Sequence, residues 1–154
     1  MYAAAVNLGE ASFEYDPDDP EGFRAGLCRP GPGWGAGRTG ISVYELPPGQ
    51  AVCPYHYELA EEEWLLVLEG EVEVRGPEGS QRLGPQELVF FPIGPDGAHA
   101  IRNAGEGTAR VLLFSDVAEL GATVYPDSDK LGVYPPGERH LFRRGDAVDY
   151  FEGE

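Results

Sequence analysis

The sequence predicts an all-β fold of the sandwich or barrel class. Its central part consists of short runs rich in β-branched and aromatic residues, which recur at near-regular spacing. The chain has 22 glycines and 14 prolines among 154 residues, and many of them cluster between these runs, as is typical of tight turns. No apolar pattern of helical period extends far enough to predict a long helix.

Eight strands are predicted in order from residue 41 onward. They are separated by turn sequences such as PPG, GPEGS, GPQ and IGPDG. The predicted strands are ISVYEL (41–46), AVCPYHYE (51–58), EWLLVLE (63–69), EVEVR (71–75), QRL (81–83), ELVFFP (87–92), AHAIRN (98–103) and ARVLLFS (109–115).

The segments that flank these strands are predicted to be irregular arms of a single domain. Prolines in YDPDDPEGF and RPGPGWGAGRTG lack the N–H that a central strand needs, and YPDSDKLGVYPPGERH has a similar turn-rich composition. We therefore expect an N-terminal arm at 1–40 and a barrel core at 41–116. Residues 117–154 would form a C-terminal extension that packs on the barrel or on a partner subunit.

The charge and composition exclude several classes of partner. A net charge of −16 would repel nucleic acid and anionic membrane surfaces, so neither is expected as a partner. The longest strongly apolar run, residues 64–68, is too short to span a bilayer. No secretory signal pattern is visible at the start, and two cysteines do not form a disulfide framework. These observations predict a cytoplasmic protein.

Strand alternation groups two of the three histidines with other polar residues. Alternate residues of a strand share one face. His56 and Glu58 therefore share a face, and so do His99, Ile101 and Asn103. Cys53, three residues before His56, is expected on the opposite face. The alternative for each histidine is an ordinary core or surface residue whose hydrogen bonds are satisfied and that binds no ligand.

The run of three glutamates before the third predicted strand divides by the same rule. Glu63 has the parity of Leu65 and Val67, whereas Glu62 has the parity of Trp64. Two histidines and one carboxylate from separate strands suit a divalent metal such as iron. The alternative for the whole run, Glu61, Glu62 and Glu63, is an acidic, solvated turn with no ligand.

The spacing of these residues resembles the two sequence motifs of the cupin superfamily. In the first motif, six residues separate Gly49 from His56, and four residues lead from Glu58 to Glu63. Six more residues lead to Gly70. In the second, Gly84 precedes the triplet 92–94 (Pro-Ile-Gly), four residues separate that triplet from His99, and three more lead to Asn103. The resemblance covers about residues 41–115 and is to small, single-domain bacterial cupins of the conserved-barrel type.

The resemblance implies a double-stranded β-helix, or jelly-roll barrel, with a divalent metal inside one end. The implied ligands are His56, Glu63 and His99, with Gly70 in a tight turn. Glu58 stands where the motif has a second histidine. It would be either a fourth ligand, giving a site of two histidines and two carboxylates, or the cause of a weak or empty site. Iron or manganese is favoured for such a donor set, and zinc or nickel would also be compatible.

Family membership leaves the reaction open. The resemblance implies a metal-dependent protein that acts on a small polar organic molecule by dioxygenase, isomerase or decarboxylase chemistry. The alternatives are a non-catalytic module that binds or senses a small ligand, or a metal-free barrel with a degenerate site. Arg24, Arg29 and Arg38 could cover an acidic substrate at the barrel mouth or simply lie in solvent. A homodimer is also expected, because an open sheet edge is a liability and cupins commonly pair.

Overall fold

A computed structural model describes residues 4–154 and confirms the all-β class. These residues contain thirteen strands and five 3-10 helices of three residues each. The strands are β1 (Glu14–Tyr15), β2 (Gly26–Cys28), β3 (Thr39–Leu46), β4 (Tyr57–Glu58), β5 (Glu63–Glu69), β6 (Val72–Gly76), β7 (Gly79–Leu83), β8 (Leu88–Phe91), β9 (Ala100–Asn103), β10 (Ala109–Asp116), β11 (Gly121–Tyr125), β12 (Lys130–Tyr134) and β13 (His140–Arg143). The 3-10 helices are Leu8–Glu10, Pro32–Trp34, Pro95–Gly97, Pro126–Ser128 and Arg144–Asp146.

The strands form three antiparallel sheets. The largest has the order β1-β2-β3-β10-β5-β8, a second has the order β13-β12-β11-β4, and the third has the order β7-β6-β9. Two isolated bridges, Ala51 with Arg102 and His56 with His99, tie the irregular segment before β4 to the strand region of β9. Strands that are distant in sequence are therefore adjacent in space, as a wound barrel requires.

The core follows the two-residue alternation of the central strands. Leu65 and Val67 on β5 and Val111 on β10 have no exposed surface, and they pack with Val72 of β6 and Ile101 of β9. These residues come from both the six-stranded and the three-stranded sheet. Burial of such side chains contributes about 1.5–3 kcal/mol each, so this cluster supplies the main driving force for closing the barrel.

The central part of the opposite face of the six-stranded sheet is apolar and faces outward, and the ion pair of Glu45 with Arg110 lies at one end of that face. Trp64 lies between Phe114 on β10 and Phe90 on β8 in the strand register, and Phe114 is in turn opposite Ile41. Between 38% and 40% of the surface of each of the three aromatic residues is exposed. We call this surface the outer apolar face; its members are Ile41, Trp64, Leu66, Leu88, Phe90, Leu112 and Phe114.

The chain extensions contain more strand than the sequence analysis predicts. In the N-terminal arm, β1 pairs with β2 and β2 pairs with β3, so both lengthen the six-stranded sheet. In the C-terminal extension, β11 and β12 form a hairpin, β13 pairs with β12, and β11 also pairs with β4. The turn-forming residues of this region separate short strands. Pro126 and Asp129, for example, lie in the turn between β11 and β12.

One predicted strand is mostly irregular. Of AVCPYHYE, only Tyr57 and Glu58 form a strand, although Ala51 and His56 make single bridges. Pro54 lies between these bridges and has no N–H to donate, which explains why the ladder is interrupted there.

No helix within residues 4–154 has the length and apolar character needed to cross a membrane.

We expect Gly70→Ala to destabilise the fold much more than Gly35→Ala. Both glycines have a positive φ, 76° and 74°, which an alanine adopts at a cost of about 1 kcal/mol or more. A Cβ atom on Gly70 would also lie 2.8 Å from the Cα atom of Ala109, whereas nothing lies within 4 Å at Gly35. Crowding of this kind adds about 1–3 kcal/mol. Denaturant unfolding measures the difference, and equal losses for the two variants would contradict the predicted contact.

Candidate metal centre

Two histidines and one glutamate meet inside one end of the barrel. One ligand atom from each of His56, Glu63 and His99 can be chosen so that all three lie within 4.8 Å of one another. Both histidines are buried and Glu63 is partly buried. The three ligands implied by the sequence motifs therefore lie in one cluster.

The two histidines are held opposite each other by their own backbones. The amide of His56 donates to the carbonyl of His99 at 3.0 Å, and the amide of His99 donates to the carbonyl of His56 at 2.8 Å. Their ring centroids are 4.6 Å apart. The ring of His99 also stacks on Phe91, with a centroid distance of 3.7 Å. Backbone pairing and ring stacking therefore restrict both imidazoles.

Glu63 enters the cluster because it begins β5 on the inward side of the strand. The following inward residues, Leu65 and Val67, are fully buried, as their shared parity predicts. Its Oε2 atom lies 3.1 Å from Nε2 of His99. Strand parity therefore distinguishes Glu63 from Glu62, and the six-residue spacing to Gly70 distinguishes Glu63 from Glu61.

A backbone carbonyl orients each imidazole through its Nδ1 atom. Nδ1 of His56 lies 3.0 Å from the carbonyl oxygen of Pro54, and Nδ1 of His99 lies 2.8 Å from that of Gly97. A carbonyl oxygen only accepts, so Nδ1 carries a hydrogen, and in a neutral ring this leaves the lone pair of Nε2 for a ligand. Burial, assisted by the neighbouring His99, lowers the pKa of His56 to about 4, so its ring is neutral near pH 7.

His99 has a buried polar atom that lacks a hydrogen-bond partner. Among residues 4–154, no group forms a hydrogen bond with its Nε2 atom, which is shielded from solvent. An unsatisfied buried polar atom costs about 1–3 kcal/mol. A divalent cation between Nε2 of His99, Nε2 of His56 and the Glu63 carboxylate would satisfy this atom. The donor set therefore fits a metal ion.

Glu58 borders the cluster without belonging to the group of three. Its Oε1 atom lies 3.5 Å from Nε2 of His56, and its Oε2 atom accepts a hydrogen bond of 2.6 Å from the hydroxyl of Thr123. Burial is the main cause that raises the pKa of Glu58 to about 7, and the charge of Glu63 adds to it. The bond from Thr123 acts in the opposite direction. The role of Glu58 as a fourth metal ligand stays a prediction.

The family match covers the part of the chain that builds this cluster. Residues 42–115 match the model of the cupin domain. The chain belongs to the cupin superfamily. That region includes all four residues that the sequence motifs identify. Divalent metals are common in the family, which agrees with the donor set.

Solved cupin structures resemble the chain over different lengths. A candidate sugar phosphate isomerase from Acidithiobacillus ferrooxidans has a TM-score of 0.83 at 23% identity, covering 96% of this chain and 95% of that one. A sugar phosphate isomerase from Silicibacter pomeroyi has a TM-score of 0.82 at 18% identity, covering 95% of this chain and 96% of that one. A predicted oxalate decarboxylase from Thermotoga maritima has a TM-score of 0.62 at 19% identity, covering 75% of this chain and 100% of that one. At these identities the likeness shows the fold. No curated protein matches the chain.

The cupin barrel opens into a cavity of about 650 Å³ beside the cluster. Such a volume is in the range of sites for small organic ligands. The lining residues from the cupin domain are Tyr44, Val52, Cys53, His56, Glu58, Glu61, Glu63 and Leu113. Those from the two chain extensions are Arg29, Val117, Ala118, Gly121, Thr123, Tyr125, Tyr134 and Arg139.

Sequence reasoning missed the contribution of the C-terminal extension to this cavity. Thr123 bonds to Glu58, Tyr125 stacks near His56 with a centroid distance of 5.9 Å, and Arg139 also lines the wall. The signal was present in GATVY and KLGVY, two β-rich runs around a Pro-Asp turn that together indicate a hairpin.

The positions of two further residues differ from their sequence-based interpretation. Cys53 lines the cavity, and its sulfur lies 3.4 Å from Nδ1 of His56, because residues 53–55 do not continue a regular strand. Burial raises the pKa of its thiol, which keeps it protonated. Glu61 also lines the cavity and accepts a bond from the amide of Ala118 at 2.8 Å, so it is more than a solvated turn residue.

We expect Glu58→Gln to stabilise the metal-free protein progressively as the pH rises from about 4.5 to about 7. The unfolded-state pKa is near 4.5 and the folded-state pKa near 7, so in this interval the carboxyl group ionises in the unfolded chain but stays protonated in the folded one, and stability falls as the pH rises. The glutamine variant does not ionise. One pKa unit corresponds to about 1.4 kcal/mol, which limits the gain to about 3 kcal/mol.

Denaturant unfolding at several pH values measures this gain. Glu78→Gln, in the exposed turn between β6 and β7, removes the same charge outside the cavity and serves as the control. A gain for Glu58→Gln that does not change with pH would contradict the predicted cost of ionising this buried carboxylate.

Proposed function

We propose that the chain is a divalent-metal-dependent enzyme that acts on a small polar organic molecule. The observation that carries the proposal is the buried Nε2 atom of His99, which forms no hydrogen bond within residues 4–154 and lies 3.1 Å from Oε2 of Glu63. His56, Glu63 and His99 would hold the metal, with Glu58 within reach as a fourth donor. Iron or manganese suits this set of nitrogen and oxygen donors, and zinc or nickel is compatible with it.

When bound, such a metal would supply Lewis-acid polarisation of a ligand oxygen. The chain supplies the surroundings. The carbonyls of Pro54 and Gly97 hold the imidazoles in orientation, and the cavity accepts a small molecule beside them. The hydroxyl of Thr123 orients the carboxylate of Glu58 within the same cavity.

Isomerisation is the reaction class that we propose. The relatives named as sugar phosphate isomerases match at least 95% of this chain, including its extensions, whereas the relative named for oxalate decarboxylation matches 75%. The extensions contribute Arg29, Thr123 and Tyr125 to the cavity wall. A relative that shares these segments is therefore the better guide to the ligand.

We expect the purified chain to bind one equivalent of manganese or iron, and His99→Ala to weaken that binding by roughly 100-fold or more. Changes to groups that only support a metal ligand already cost about 10–100-fold, and loss of the ligand itself costs at least as much. Glu63→Gln should also weaken binding, and Glu58→Gln should weaken it less than His99→Ala does. Elemental analysis and metal titration measure these effects.

His140→Ala provides the matched control for the metal experiment. His140 is the remaining histidine, exposed on β13 and paired with Glu138 at 2.7 Å, so its loss should leave metal affinity unchanged. Unchanged affinity in both His99→Ala and Glu63→Gln would show that the ligands are wrongly assigned. The same loaded proteins are then tested for interconversion of aldoses and ketoses and of their phosphates by NMR. Stoichiometric metal without turnover would favour a non-catalytic binding module.

We also propose that two copies of the chain pair through the outer apolar face. None of its seven members carries a charge, although each copy has a net charge of −16 and would repel another copy elsewhere. Contact through this face would therefore place no like charges of the two copies directly against each other. A two-fold axis would place the same apolar residues against each other, as homodimers commonly do.

We expect Trp64→Glu to convert the dimer into a monomer in sedimentation velocity. The substitution places a negative charge at the centre of the outer apolar face, where it would lie close to the same charge on the other copy. Leu120→Glu, in the exposed connection between β10 and β11, introduces the same charge outside that face and should leave the dimer intact. A monomeric wild-type chain, or a dimeric Trp64→Glu variant, would contradict this interface.

A further inference from the structure

Two arginines, one from each chain extension, line the cavity beside the metal-ligand residues. Arg29 follows β2 in the N-terminal arm, and Arg139 lies in the loop between β12 and β13. Positive charge is scarce in this chain, which has 11 lysines and arginines against 27 aspartates and glutamates. Two arginines on the wall of one cavity therefore suggest a ligand with a negative charge.

Neither of these arginines is neutralised by a carboxylate. Within residues 4–154, Arg29 and Arg139 form no ion pair, although acidic side chains greatly outnumber basic ones. Five of the other eight arginines form ion pairs: Arg24, Arg75, Arg82, Arg110 and Arg144. The unpaired arginines other than Arg29 and Arg139 do not line this cavity. The guanidinium groups of Arg29 and Arg139 therefore remain available to an anion, which they can bind through several N–H donors.

The barrel holds Arg29 in place at the cavity. Its Nε atom donates to the hydroxyl of Ser42 on β3 at 3.3 Å. Tyr44 lies two residues further along β3 on the same face and also lines the cavity. The guanidinium group of Arg29 is thus held against β3 by Ser42 and lies beside the hydroxyl of Tyr44 in the cavity wall.

The cavity is lined by side chains of both charges. Glu58, Glu61 and Glu63 come from the cupin domain, and Arg29 and Arg139 come from the chain extensions. A bound divalent cation would offset the charge of the carboxylates. A ligand with an anionic group at one end and neutral oxygen atoms at the other would then be oriented by this arrangement.

We propose that Arg29 and Arg139 form an anion-binding subsite for a phosphate or carboxylate group of the ligand. The neutral oxygen atoms of that ligand would face His56, Glu63 and His99. This inference rests on the proposed function for the position of the reacting end. The subsite itself is tested without metal, so its failure and the failure of the metal site are distinguishable.

Titration of the metal-free full-length chain with inorganic phosphate, and separately with malonate, tests the subsite. The absence of metal ensures that neither anion binds to a cation instead of to arginine. We expect Arg29→Gln and Arg139→Gln each to weaken binding of the preferred anion about 10-fold, because each removes a charge-assisted contact. Arg29→Lys keeps the charge but loses the planar fork of donors, and it should weaken binding less than Arg29→Gln. Arg82→Gln on β7 removes the same charge outside the cavity and should have no effect.

Each outcome decides one point. Tighter binding of phosphate identifies a phosphoryl subsite, and tighter binding of malonate identifies a carboxylate subsite. Failure of both anions to bind would overturn the proposal, as would binding that neither glutamine variant weakens. Manganese affinity is measured in parallel and should not change in Arg29→Gln. A normal manganese affinity with no anion binding would reject the subsite alone, and the reverse result would reject the metal site alone.

Discussion

The reciprocal backbone bonds between His56 and His99 are the constraint on which the site depends. They form an isolated bridge outside the named strands, between an irregular segment and the start of β9. The same two bonds help to close this end of the barrel and bring the two imidazoles together from positions 43 residues apart in the sequence. Barrel closure and formation of the candidate metal centre are therefore one structural event, and Glu63 joins it through the register of β5.

The regular part of the barrel could be predicted from the sequence because strands obey a strict two-residue alternation. That rule places Glu63 with Leu65 and Val67, and it groups His99 with Ile101 and Asn103, all of which are buried. It fails at Cys53, because Pro54 interrupts the ladder and the parity is lost before His56. The pairing of β11 with β4, which brings Thr123 to Glu58, joins residues far apart in the chain. No local pattern encodes such a pairing.

The cupin domain and the chain extensions contribute different parts of the cavity. The matched region, 42–115, provides the residues that would hold a metal. The extensions provide Arg29, Thr123, Tyr125 and Arg139, which lie where a ligand would be recognised. A fold that hosts many reactions can in this way keep one reactive centre while the surrounding segments select the ligand.

The two carbonyls that orient the imidazoles belong to residues only two positions before each histidine, Pro54 and Gly97. A main-chain carbonyl is present in every amino acid, so neither hydrogen bond by itself requires a particular side chain. At position 54, a substitution that preserves the local backbone would leave the orientation of His56 unchanged and would go unnoticed in a comparison of side chains. Position 97 differs, because a Cβ atom on Gly97 would overlap the backbone of Pro92. The group that orients His99 is therefore marked in the sequence by a glycine, whereas the group that orients His56 leaves no such mark.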